Sequence, residues 1–230
     1  GHGQHIDEHD VIVRINAAST ASFERDVGSR THIRFGWQQG FFEALRDHAI
    51  TPGEILVLTT PNSHMGAPEW EWFRKAELGK LGSHHQLVAI SNPWAASLRH
   101  HLLDDKGEFP STGFVALAVT LALARSVGAP PVSVLGFGTC PPCGRYFMCS
   151  TDHSEAGQSA LMLQNNLQLE AEGKDGHHPF AAEGRARETW HRSGVIHLIE
   201  ELCDEGLWAP GLPMPPMPPM PPMLPMLPPC

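Results

Sequence analysis

Four groups of residues in this 230-residue chain have types and spacings that suit chemistry. The first is Ser111-Thr112-Gly113, two hydroxyls and a bare backbone position just ahead of an Ala- and Leu-rich run that ends at Ala124. At the start of a helix the unpaired N–H groups and the dipole favour an anion, so this segment is either a cradle for a phosphate or carboxylate or an ordinary N-cap. The second is His178 followed by Glu183, a His-x4-Glu spacing. Histidine titrates near neutral pH and is the usual general base, yet the chain holds 15 His, and by itself His178, like its neighbour His177, equally reads as a hydrogen-bonded surface histidine. The third is Cys140-x2-Cys143-x5-Cys149 with His153 nearby, a set with zinc-ligand character. A second Cys-x2-Cys is absent, so a disulfide within this trio, or from it to Cys203, is the favoured reading and would belong to an oxidising compartment. The total of five Cys is odd, and Cys230 is the natural unpaired thiol. The fourth is Asn16, at the end of an apolar run, where an asparagine commonly makes a turn.

Composition narrows the classes that can use such residues. With 41% hydrophobic and 18% charged residues the chain can bury a core as one large or two small domains, which excludes a disulfide miniprotein and global disorder. Its 16 Lys+Arg against 25 Asp+Glu give a formal net charge of -9, a field that repels polyanions, so no nucleic-acid partner is expected. No run reaches the ~18 apolar residues that span a bilayer. The longest apolar candidate, Phe114 to Ala124, is closed by Arg125. The chain as given is therefore expected to be soluble. It opens at Gly1 without an initiating Met, which reads as a fragment and leaves an upstream signal or anchor open.

The elements that must position these residues alternate in type. Val11 to Ile15, Ile55 to Leu58, Gln86 to Ile90 and Val132 to Leu135 are short apolar runs of buried-strand length. Gly40 to Ala49 has helical spacing, with Phe41, Phe42, Leu45 and Ala49 on one face and an end near Pro52. Trp70 to Leu81 predicts a helix, and Ser111 to Ala124 a stronger one capped by Ser111 or Thr112. Glu183 to Leu202 predicts a last helix and a strand, with Val195 to Ile199 returning to the core, while Gly1 onward is expected to lead directly into the first strand. This order predicts an α/β fold: a Rossmann-like, mostly parallel sheet flanked by helices on both faces, with ligands beyond the strand carboxyl ends. Thr139 to Gly176 is expected to form a lid or insertion over the sheet edge. Residues 1–209 form one domain, and 210–230, almost wholly Pro and Met with a few Leu, a disordered low-complexity tail. An extended polyproline II recognition arm with a Met stripe is the alternative for that tail.

Four segments, in order, resemble the sequence blocks of the eukaryotic sialyltransferase family, glycosyltransferase family 29. Gly3 to Asn16 with Phe23 to Thr31 is similar to the second half of the large sialyl motif, and Pro110-Ser111-Thr112-Gly113 through Gly136-Phe137-Gly138 to the small one. Arg145-Tyr146-Phe147 falls where the short aromatic third motif lies, and His178 to Glu183 fits the very small motif, followed by Trp190 and Gly194-Val195-Ile196 as in the plant and algal branch. The first half of the large motif, with its Cys, would precede Gly1, and the small motif has Ala124-Arg125-Ser126-Val127 without a Cys, so both partners of the family's central disulfide are missing together. The third motif carries Arg145 and Met148 in place of the usual His and acidic residue.

The resemblance implies a single-domain GT-A-like variant of the Rossmann-like fold and an inverting transfer of sialic acid, or a related acidic sugar such as KDN or KDO, from a CMP-sugar donor to a glycan acceptor on a glycoprotein or glycolipid. It implies His178 as the general base with Glu183 in support, Ser111, Thr112 and Gly113 at the nucleotide ribose and sugar carboxylate, and Asn16 and Tyr146 near the donor phosphate. It also implies a Golgi lumenal, type II membrane-anchored full-length form, the membrane being met only through an N-terminal anchor outside this chain. No Asp-x-Asp occurs, which fits a cofactor-free, metal-independent enzyme. The alternative is a catalytically inactive or fragmentary homologue that acts as a binding or interaction protein.

Overall fold

A computed structural model describes residues 1–59, 85–107, 109–137, 168–169, 172 and 178–199. Strands β1 (Val13–Ile15), β2 (Ile33–Gly36), β3 (Ile55–Leu58) and β4 (Gln86–Ala89) form one parallel sheet in the order β1-β2-β3-β4. A second parallel pair joins β5 (Val132–Val134) to β6 (Ile196–Leu198). Parallel pairing needs covered faces. Helix α3 (Gln38–Arg46) supplies Phe41 against Leu56 and Leu58 on one face of the four-stranded sheet, and helix α5 (Thr112–Ser126) supplies Ala116 against Phe35 and Val57 on the other. The α/β expectation with helices on both faces therefore holds.

Helix α5 is the hub. Its Ala and Leu content favours helix, Ser111 Oγ accepts from the Phe114 amide at 3.1 Å, and Phe114, Val115, Ala116, Leu117, Ala118 and Leu121 are buried. Each large side chain so buried stabilises the fold by ~1.5–3 kcal/mol. The apolar surface is broad enough that α5 covers β1–β3 on one side and Val134 of β5, with helices α4 (Asn92–Leu102) and α6 (Phe180–Arg192), on the other. Trp190 of α6 stacks on Phe114 with centroids 5.4 Å apart, which docks α6 beside the start of α5.

Several boundaries differ from the sequence expectation, each for a physical reason. The opening residues form a short helix, α1 (Gly3–Asp7), rather than a lead-in to a strand: a side chain at Gly3 would collide with the carbonyls of Glu24 and Arg25, and the Asp7 carboxylate accepts from the Ser29 amide and hydroxyl and from the Arg30 amide. These contacts tie α1 to the turn after helix α2 (Glu24–Val27). Helix α3 ends at Arg46, well before Pro52, because His48 takes a left-handed φ of 51° and the amides of His48 and Ala49 close onto the carbonyls of Leu45 and Ala44. This is a Schellman cap, and Ala49 is buried as its apolar partner instead of lying on the helix face. Strand β2 escapes the apolar-run criterion because Arg34 occupies its middle, and α4 because it begins at Asn92-Pro93, a pair that reads as a turn. The predicted helix over Trp70 to Leu81, nearly all of the Thr139 to Gly176 insertion, the cysteines and the 210–230 tail lie outside the described residues.

Candidate functional site

The carboxyl ends of β1 and β5 meet at the start of α5. A Cβ placed on Gly113, in the first turn of α5, would fall 3.0 Å from Cε1 of Phe137, just past β5, and 3.7 Å from Cδ1 of Ile15, the last residue of β1. Glycine lets Phe137 pack tightly on the first turn, while Ile15 lies at ordinary contact distance. Asn16 follows directly, in a left-handed conformation with φ 52°. Its Oδ1 is the buried side-chain atom without a hydrogen-bond partner among the described residues, and it is packed on Gly40 so closely that any side chain at Gly40 would collide with it. A left-handed non-glycine residue and an unsatisfied buried amide oxygen each cost free energy and tend to mark functional sites.

The backbone at Asn16 is fixed from below by Arg34. The Arg34 and Glu54 side chains are fully buried; Arg34 Nε donates to Glu54 Oε2 at 2.7 Å and Nη2 to Oε1 at 3.1 Å. Nη1 donates to the carbonyls of Asn16 (2.8 Å) and Ala18 (3.0 Å), and Nη2 also to that of Ala49 (2.7 Å). The guanidinium's five donors are thereby all used. Arg14 of β1 plays a similar part for the preceding turn, donating to Thr31 Oγ1 and to the carbonyls of Val27 and Arg30.

On the opposite side α6 grips the start of α5. Glu183, 1% exposed, accepts from the Ser111 amide at 2.6 Å and from the Ser111 hydroxyl at 2.7 Å. The Ser111 hydroxyl thus gives its proton to Glu183 while accepting from Phe114, so its polar capacity goes largely into the cap. Among the described residues, the Thr112 hydroxyl and the amides of Thr112 and Gly113 make no hydrogen bond and remain for other uses. Two residues before α6, the His178 ring is anchored through Nδ1, 3.0 Å from the Phe109 carbonyl, and meets Phe180 edge-on. A carbonyl only accepts, so Nδ1 of the neutral ring carries the proton and Nε2 the lone pair. Buried Pro179 packs against Gly107, which has a left-handed φ of 66° and where a Cβ would fall 2.6 Å from the proline ring.

The structure therefore brings Ser111, Thr112, Gly113, His178 and Glu183 into one polar unit, with Asn16 beside it through Ile15. Tyr146 and the cysteine trio lie outside the described residues. Sequence reasoning missed Phe137 as a wall of this unit and Arg187, whose guanidinium carbon lies 5.5 Å above the Phe137 ring. Burial holds the Arg187 pKa below its ordinary value, and the nearby Glu183 charge opposes that shift in part. The signal was present as Glu183 and Arg187 four apart on one helix.

Architecture and site together define a Rossmann-like α/β protein whose candidate site lies at strand carboxyl ends beside a helix N-terminus. The chain belongs to glycosyltransferase family 29 (sialyltransferase), whose family model matches residues 1–146. Among curated relatives it is 30% identical over 141 residues to mouse CMP-N-acetylneuraminate-beta-galactosamide-alpha-2,3-sialyltransferase 2, covering 60% of this chain and 39% of that protein. It is 45% identical over 158 residues to human CMP-N-acetylneuraminate-beta-1,4-galactoside alpha-2,3-sialyltransferase, covering 59% and 40% respectively. The chain thus spans about two fifths of the length of these relatives. The fold is similar to the crystal structure of a mammalian sialyltransferase, with a TM-score of 0.59 at 18% identity over 86% of this chain and 63% of that one.

Proposed function

We propose that the chain is the donor-binding and catalytic part of a glycosyltransferase that moves sialic acid, or a related acidic sugar of the KDN or KDO type, from its CMP derivative to a glycan hydroxyl. The observation that carries this reading is the coupling of His178 and the start of α5 into one unit, through Phe109 on one side and the Glu183–Ser111 contact on the other. Family membership supplies the reaction class, and the names of the relatives, one a beta-galactosamide and the other a beta-1,4-galactoside sialyltransferase, support a galactose-type sugar of a glycoprotein or glycolipid as acceptor.

In the proposed mechanism His178 Nε2 takes the proton of the acceptor hydroxyl. That oxygen attacks the anomeric carbon from the face opposite the nucleotide, and the bond to the phosphate oxygen breaks with its electron pair leaving on CMP, so configuration inverts. The first-turn amides of α5 and the dipole behind them stabilise the departing phosphate or the sugar carboxylate, Asn16 and Tyr146 complete the donor contacts, and no metal or other cofactor takes part. The full-length form would work in the Golgi lumen on an N-terminal anchor; among the described residues no helix is long and apolar enough to cross a membrane.

The test is transfer from CMP-N-acetylneuraminate to N-acetyllactosamine, with CMP binding measured in parallel by calorimetry. His178→Ala should cut turnover by at least about a hundredfold, the scale of a lost general base, with CMP affinity kept within about twofold. Retained turnover in that variant removes His178 as the base. CMP binding by the unmodified chain without transfer favours an inactive, binding homologue.

A further inference from the structure

Arg187 is a cation whose local partners do not pair with it. Glu183 lies one helical turn before it in α6, the order and spacing at which a carboxylate and a guanidinium ordinarily bridge. Here Glu183 is turned to Ser111, and Arg187 makes no hydrogen bond or ion pair with any described residue. The guanidinium instead lies over Phe137, partly withdrawn from water. An aromatic face compensates the lost hydration of a cation only in part, and the five N–H donors of the planar fork have no acceptor among the described residues. Phe137 is the same ring that touches the Gly113 position at the first turn of α5. Through Phe137 the guanidinium therefore lies near the first turn of α5, whose unpaired amides and dipole also favour negative charge.

We propose that Arg187 is an anion-binding residue of the donor site, its guanidinium taking an oxyanion of the acidic donor, in the fork geometry that suits a phosphate or a carboxylate. This rests on the functional reading above. The arrangement is pre-organised: the guanidinium carbon lies 5.5 Å from the Phe137 ring centroid, and Glu183 bonds Ser111, so the Arg187 donors have no acceptor among the described residues. Both possible groups, the nucleotide phosphate and the sugar carboxylate, share this chemistry and are separable by experiment.

The experiment is calorimetric titration of the full chain and of its Arg187→Met and Arg187→Lys variants with cytidine, CMP and CMP-N-acetylneuraminate, with thermal melts to establish folding. Methionine keeps the stem packing over Phe137 and removes the charge. Loss of an ionic hydrogen bond corresponds to a weakening of about tenfold or more. A loss of that size for CMP with cytidine binding unchanged assigns the phosphate; CMP binding unchanged with CMP-N-acetylneuraminate weakened assigns the carboxylate. Lysine, which keeps the charge but not the fork, should fall between, and it carries the test if the methionine variant does not fold. Binding of both ligands by both variants within about twofold of the unmodified chain overturns the role of Arg187 and leaves the functional reading standing. Failure of the unmodified chain to bind any of the three ligands overturns that reading, and this inference with it.

Discussion

Truncating Glu183 is the sharpest test of how the site is held. Its carboxylate is 1% exposed and accepts two short bonds, from the Ser111 amide and hydroxyl. Hydrogen bonds to an ionised group contribute ~1.5–3 kcal/mol each, so losing both to Glu183→Ala should cost ~3–5 kcal/mol once water reaching the vacated space is allowed for. Glu183→Gln keeps one acceptor oxygen but sets an NH2 against the other Ser111 donor, for a cost of ~1.5–3 kcal/mol. Ser111→Ala removes the hydroxyl bond to Glu183 and also the cap on the Phe114 amide, the cap alone contributing ~1 kcal/mol. Because the two side chains share a bond, Glu183→Gln should cost less when Ser111 is already alanine, with a coupling of ~1–3 kcal/mol. Urea unfolding of the unmodified chain, the three single variants and the Glu183→Gln/Ser111→Ala double variant, read as the shift in midpoint at constant slope, measures all of these. A cost below ~0.5 kcal/mol for Glu183→Ala, the level of an ordinary surface change, or a strictly additive cycle would refute the claim that this contact clamps α5 to α6.

Two further perturbations test the other supports. Glu54→Gln leaves the fully buried Arg34 charge uncompensated, so it should destabilise by ~3–5 kcal/mol in the same denaturation assay, and a near-neutral result would mean the pair is not buried as described. Asp7 is pushed upward by burial, but the hydrogen bonds from Ser29 and Arg30 and the charge of Arg14 outweigh this and hold its pKa below the ordinary 3.8. A carboxyl depressed on folding contributes stability above its unfolded pKa that disappears as pH falls through the folded value. Between about pH 5 and about pH 2 the melting temperature of the native chain should therefore fall more steeply than that of Asp7→Asn, and parallel profiles would contradict the assignment.

What was legible in the sequence follows from which forces are local. The strands at Ile55 to Leu58 and Val132 to Val134, and helix α5, are written in runs of apolar residues, and local periodicity finds them. The Ser111 cap and the His178–Glu183 spacing were equally visible, because each is a matter of a few consecutive residues. Strand β2 was hidden because its central residue is an arginine made burial-compatible only by Glu54, twenty residues away, and by carbonyls of two separate loops. The end of α3 depended on a histidine adopting the left-handed conformation that glycine usually supplies, as Gly128 and Gly194 do after α5 and α6. That Glu183 would choose Ser111, 72 residues distant, over Arg187 four residues on is likewise a tertiary outcome that helix spacing alone assigns the other way.

The two buried carboxylates explain why the candidate site is where it is. A buried ion pair such as Arg34–Glu54 does not in general stabilise a fold more than apolar residues of the same volume would, since desolvation cancels most of the attraction. Its distinctive effect is geometric: a guanidinium with five fixed donors holds the carbonyls of Asn16, Ala18 and Ala49 at defined places, and so sets the left-handed turn at Asn16. Glu183 acts in the same way on the other flank, fixing the amide and hydroxyl that begin α5. Between these two clamps, Ile15, Gly113 and Phe137 come into close approach, with a tight fit for any side chain at the glycine. The Arg34 network thus ties the turn after β1 to the segment leading into β3, while the faces of β2, β3 and α5 are held by apolar contacts that any residues of suitable size would make. Contacts that fix orientation rather than add burial are what the proposed transfer from a nucleotide would require, because its groups must already be aimed when charge develops.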